Sequence, residues 1–253
     1  MITRMSPVAL VAASLFLTGC GGGAVAATDH ASDPAPAPAP SSATSSPSPS
    51  SEISAEAAPR QLPGVGPKML ARIPAGTEQV VLVTGRAANS PLSTLALYER
   101  TDDGWQQTAS WAAHNALRGW SDHHMAGDLH SPIGVYSLTD AGGLLRDPGT
   151  KLSYDQGSGF VSPGTGFEGE PLAGSFDYVI AINYNRQPGT SPLDWTRPLG
   201  SSRGGGIWIH VDHGGPTHGC VSIAEDHMKE LLRTLDPARH PVVVMGDAAA
   251  LGR

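Results

Sequence analysis

Cysteine is nearly missing from this chain, with two in 253 residues, Cys20 and Cys220, so it holds no disulfide framework. Charge is sparse as well: 15% of residues are charged, 16 basic against 23 acidic, for a net −7. No run of Lys or Arg resembles a nucleic-acid footprint, so nucleic-acid partners are excluded. Aromatic residues make up only 6% of the chain. Five of them are tryptophans, Trp105, Trp111, Trp120, Trp195 and Trp208, read as core or groove-lining because each supplies a large burial at one position. The apolar run over residues 7–17 is too short for a permanent membrane-spanning helix.

That short run has another use. It follows a basic start at Arg4 and leads into Leu17-Thr18-Gly19-Cys20, the order of a secretory signal with small residues at the cut. The cut resembles the lipobox of bacterial lipoproteins, in which the cysteine at the position of Cys20 becomes the lipidated first residue of the mature protein. Residues 31–51 consist of Ala, Ser, Pro, Thr and one Asp, with Pro34, Pro36, Pro38 and Pro40 alternating. Such a segment has no apolar surface to offset chain entropy, and proline keeps it extended. The expected organisation is therefore a signal peptide over 1–19, a lipid-anchored linker over 20–60 and one folded domain over 61–253. The expected place is the outer face of the cytoplasmic membrane, in the cell-wall zone.

Within the domain, strands dominate. Residues 79–85 form a β-branched run closed by glycine, and residues 93–100 lead through Thr101-Asp102-Asp103-Gly104 into Trp105-Gln106-Gln107 as a β-hairpin. Residues 130–138, 175–183, 206–211 and 240–246 supply further strands. One helix is well signalled: Ser222 and Glu225 have capping-box spacing, and Met228, Leu231, Leu232 and Leu235 recur at helical intervals until Pro237. This order disfavours a parallel sheet of βαβ repeats. The expected fold is mainly β, a β-sandwich-like mixed sheet with one helix near the C-terminus.

The chemistry concentrates in residues 206–222, which hold Cys220 and three histidines, His210, His213 and His218. Exported proteins normally join structural cysteines in pairs. With Cys20 assigned to lipidation, Cys220 has no partner, and a lone thiol among imidazoles reads as reactive. A helix start directly behind it would favour the thiolate, Gly219 would leave the sulfur unshielded, and nearby backbone N–H groups could meet a developing oxyanion.

Thr217-His218-Gly219-Cys220-Val221, preceded by the strand ending in His210, resembles the signature of the L,D-transpeptidase catalytic domain, the YkuD-type fold of bacterial cell-wall enzymes. Ser131-Pro132-Ile133-Gly134-Val135-Tyr136 is similar to that family's Thr-Pro-x-Gly-x-Phe segment. The resemblance implies that the Cys220 thiolate attacks the carbonyl before the terminal D-alanine of a tetrapeptide stem, giving a thioester. An amine of a neighbouring stem then resolves it. It further implies His210 as general base with its tautomer held by the Val211 carbonyl, an oxyanion site shaped by His218, Gly219 and the Cys220 amide, and susceptibility to carbapenems. Donor and acceptor stems of peptidoglycan are the implied partners, beside the membrane through the lipid on Cys20, and no cofactor or metal is implied.

Two features depart from that pattern. Only nine residues separate His210 from Cys220, and His213-Gly214 forms a competing His-Gly pair in between. Ser222 stands where the family commonly has Arg or Asn, with Arg197 and Arg203 as substitutes. Two other readings stay open: a metal-dependent hydrolase using His210, Asp212, His213 and His218, and a non-catalytic wall-binding lipoprotein. His123, His124 and His130, beside Asp122 and Asp128, read as a solvated loop with no assigned role.

Overall fold

The structure, a computed structural model, describes residues 61–253. The expected signal peptide, the lipidated Cys20 and the linker lie outside the described residues. Eleven strands follow in chain order: β1 Gln79–Gly85, β2 Leu92–Thr101, β3 Gly104–His114, β4 Trp120–Ser121, β5 Ser131–Pro132, β6 Gly134–Gly143, β7 Ser153–Gln156, β8 Val179–Ile182, β9 Trp208–Val211, β10 Val221–Ile223 and β11 Val242–Asp247. Three helices accompany them, α1 Pro67–Leu70, α2 Glu225–Thr234 and α3 Ala248–Leu251. No helix among the described residues is long and apolar enough to cross a membrane.

Nine strands form one mixed sheet in the order β11-β1-β2-β3-β10-β9-β8-β6-β7, and β11 also pairs with β6. That second pairing closes all but β7 into a barrel-like ring, so the mainly β expectation holds and the sheet has few open edges. The closure depends on the length of β6, which changes partner along its course. Its first residues pair with β11, from Ser137↔Val242 to Gly134↔Met245, and its later ones with β8 and β7.

The alternation in β2 shows how the layers are built. Leu95 and Leu97 enter the main core with Ile180, Ile209, Ile223 and helix α2, whereas Ala96 and Tyr98 point to a second core with Val80, Leu82, Val244 and Leu62. With both faces covered, the strand reads as nearly continuous apolar sequence. Helix α2 buries Met228, Leu231 and Leu232 on one stripe, and each such side chain contributes roughly 1.5–3 kcal/mol on leaving water. Its start departs from the expected capping box. The N-cap is Ala224 without a side-chain cap, and Ser222 lies in β10 with its hydroxyl donating to Asp212 Oδ1 at 2.7 Å. Strand pairing places Ser222 between His210 and His114, and Asp212 outcompetes the helix for its hydroxyl.

Candidate active site

Strand β9 divides its side chains between two layers. Ile209 and Val211 join the main core, while Trp208 packs with Phe160, Val179 and Ala181, and Cys220 lies against that cluster. Because β9 pairs with β8 through Val179↔His210 and Ala181↔Trp208, His210 shares the face of Trp208. Phe176 meets both rings edge-on, at 4.9 Å from Trp208 and 5.4 Å from His210.

Strand β10 runs parallel to β9 with Val221 opposite Ile209, which sets residue 220 beside residue 208. The Trp208 N–H accordingly points at Cys220 Sγ, 3.4 Å away, and the thiol donates to the Gly206 carbonyl at 3.6 Å. Parallel neighbours usually need a crossover of about a dozen residues or more. Here the crossover is the short loop after Val211, and hydrogen bonds fix its end. Thr217 Oγ1 donates to the Cys220 carbonyl at 2.7 Å, with Ser131 Oγ donating to the same oxygen at 3.4 Å. The Thr217 N–H donates to Asn115 O at 3.0 Å. Gly219 is buried, and a Cβ there would stand 2.9 Å from Ile207 Cδ1, so glycine is what lets the chain pass.

His210 is 3% exposed, and its Nδ1–H donates to the Val211 carbonyl at 2.8 Å. A carbonyl only accepts, so the proton sits on Nδ1 and the Nε2 lone pair is free. Burial pushes the imidazole pKa down to about 4 against the opposing pull of the Val211 carbonyl, and the nearby His213 pushes the same way as burial. The ring is therefore neutral at neutral pH. His213 stacks on it at 5.8 Å with planes 12° apart, and His213 Nδ1 lies 3.2 Å from Glu170 Oε1. His210, His213, Phe176, Thr217, His218 and Cys220 line a cavity of about 230 Å³.

The thiol itself departs from expectation. Burial pushes the Cys220 pKa up to about 11, with the Trp208 N–H pulling the other way. No helix begins at Cys220: a strand follows it, and α2 starts only at Glu225. The helix-terminus field that would favour a thiolate is absent from this position, and the neutral thiol is the resting form.

A second cavity of about 460 Å³ also borders Cys220, lined by His124, Trp195, Arg197, Gly205, His218 and Cys220 among others. His218 is exposed, with its ring 4.6 Å from that of Phe167, and it borders both cavities. Arg197 shares this cavity with the thiol, whereas Arg203 lines a different one and donates to Met125 Sδ at 3.7 Å. Trp195 is 79% exposed and so not a core residue, with the Arg197 guanidinium 4.7 Å from its ring centre. The loop read as solvated is only partly so. The His123 side chain is 88% exposed, but His124 is buried because its ring packs edge-on against Tyr184.

Three residues of the metal reading, His210, His213 and His218, line one cavity, but Asp212 does not join them. Asp212 accepts from Ser222 and lies 2.8 Å from His114 Nδ1, His213 faces Glu170, and His218 rests on Phe167. Among the described residues no three His, Cys, Asp or Glu side chains are grouped so as to hold a metal ion. The tie between Ser222 and Asp212 also means that Ser222 faces away from any substrate role. Contacts missed in the sequence are mostly backbone ones, Gly206 O and Trp208 N–H, which no residue type announces. Phe176 falls within the expected strand over 175–183, but the strand starts only at Val179, which leaves Phe176 in the loop before it, and the loop of Glu170 carries no motif.

No curated protein matches the chain. Solved structures do, among them that of Bdellovibrio bacteriovorus Bd1075, at 17% identity over 68% of this chain and 48% of that one, with a TM-score of 0.38. The chain thus spans about half the length of that protein, and so loose a superposition carries no functional argument. The match to a family model is more informative. It runs over residues 125–244, from the loop before β5 into β11, and takes in His210, His218, Gly219 and Cys220. The family matched over those residues is YkuD, the L,D-transpeptidase catalytic domain.

Proposed function

We propose that the protein is a cysteine-dependent acyltransferase acting on peptidoglycan stem peptides, through a thioester on Cys220. The carrying observation is the pairing of a neutral thiol with a neutral, Nδ1-protonated His210 in one cavity. A resting thiolate is unnecessary in such a site: the thiol proton passes to His210 Nε2 as sulfur attacks the amide carbonyl. The sulfur–carbon bond forms, the carbon–nitrogen bond breaks, and the imidazolium returns the proton to the departing D-alanine amine. Two cavities border Cys220 and give donor and acceptor separate approaches. In the larger one Arg197 offers a guanidinium to a stem carboxylate. An acceptor amine then yields a crosslink.

Placement as a lipid-anchored protein in the cell-wall zone is part of the same proposal and rests on the sequence alone. Intact-mass spectrometry after exposure to a carbapenem tests the thioester. The wild type gains one adduct on Cys220, and Cys220→Ala gains none while unfolding at the wild-type temperature. A wild type without adduct sinks the transpeptidase reading.

A further inference from the structure

The larger cavity contains a second imidazole that the reaction above does not use. His124 is buried, its Nδ1 is 3.0 Å from Asp128 Oδ1, and its ring borders the same cavity as Cys220. Two glycines frame its other edge: a Cβ on Gly204 would stand 2.9 Å from His124 Nε2, and one on Gly219 3.8 Å from His124 Cε1. Both glycines line that cavity, and Gly219 immediately precedes the nucleophile. Among the described residues no hydrogen bond engages Nε2.

Asp128 is itself held rigidly. Its carboxylate accepts from the backbone N–H of His130 at 2.9 Å and of Met125 at 2.8 Å, and these bonds hold it below the usual carboxylate range although burial opposes them. The 3.0 Å approach lies outside hydrogen-bond geometry, but the negative carboxylate beside Nδ1 favours the tautomer with Nδ1–H, leaving Nε2 as the basic atom. The groups facing the ring are Asp128 and His130 from its own loop, Tyr184 after β8, and Arg203 from the turn at Ser201–Arg203. Burial lowers the His124 pKa and Arg203 acts with it, while Asp128 opposes. His210 and His124 thus border the sulfur's surroundings from different cavities, each with a carbonyl or carboxylate at Nδ1.

We propose that His124, positioned by Asp128, is the base for the acceptor amine in the second half of the reaction; this rests on the transpeptidase reading. The acceptor nitrogen bonds to the thioester carbonyl carbon as the carbon–sulfur bond breaks and its electron pair goes to Cys220 Sγ. The amine proton passes to His124 Nε2, and the imidazolium then returns it to the thiolate, restoring the thiol. An anionic Sγ with so high a proton affinity accepts that proton readily. His210 serves the donor half, and His124 serves the acceptor half.

The test separates the halves. His124→Asn keeps a donor near the Nδ1 position for Asp128 but removes Nε2. It is expected to form the carbapenem adduct within about threefold of the wild-type rate, while turnover of a tetrapeptide donor with an amine acceptor falls about a hundredfold. Equal losses in both assays, or turnover unchanged, overturn the proposal. Should His124→Asn fail to fold, Asp128→Asn decides: turnover falls about tenfold and its pH midpoint moves, with adduct formation retained, whereas an unmoved midpoint counts against the pair. Wild-type protein that forms no adduct removes the parent reading, a result distinct from an adduct-competent protein indifferent to His124.

Discussion

The Trp208 backbone N–H points at the sulfur of Cys220, 3.4 Å away, and pulls against the desolvation that keeps the thiol protonated. The parallel register of β9 and β10 sets this relationship, so Cys220 is placed by sheet pairing and not by a helix terminus. Its chemistry follows from that placement.

Iodoacetamide alkylation of Cys220 should be slow at neutral pH and rise about tenfold per pH unit towards about 11, since only the thiolate reacts. Measuring the alkylation rate from pH 6 to 11 checks this. A plateau below pH 8 would show a resting thiolate and remove the need for a base in the attack.

His210→Gln should lower turnover by about 10²–10⁴ because the free Nε2 is lost, whereas His213→Gln should retain most of it. His213 stacks on His210 at 5.8 Å, and its Nδ1 lies 3.2 Å from Glu170 Oε1 without a hydrogen bond between them. Steady-state kinetics of both variants decide between them, and the reverse order would move the base to His213.

Burial of neutral His210 also links stability to pH. Its folded pKa of about 4 lies below the ordinary 6.5, so between these values the unfolded chain binds more protons. The contribution is whole above pH 6.5 and is lost as pH falls towards 4, by about 3 kcal/mol. Urea unfolding of wild type and His210→Gln at pH 7, 5.5 and 4 measures it. The wild type should lose more stability on acidification than the variant, and parallel losses would contradict a neutral buried ring.

Particular elements show why the sequence was readable where it was. Strand β1 spans Gln79–Gly85, the residues its β-branched run marks, because a strand buried on both faces declares itself by composition. The hairpin of β2 and β3 turns at Thr101–Gly104 as its Asp-Asp-Gly sequence requires. Strand β10 is three residues long and begins just after Cys220, too short for any period, so Ser222 read as a helix cap. His124 read as solvated because a loop of polar residues says nothing of the Tyr184 ring that covers it.

By itself the sequence pointed to the stretch over residues 206–222, with a cysteine behind a glycine and histidines around it, and to the strands and helix that local pattern dictates. Tertiary structure alone decided what those residues are in chemical terms. Ring closure through β6 and β11 and the register of β9 against β10 set the half-buried thiol beside a backbone N–H, leave one nitrogen of His210 without a partner among the described residues, and bring His124 to a cavity that Cys220 also lines. Protonation state and orientation depend on desolvation and on partners distant in the chain, and neither is encoded in a short stretch of residues.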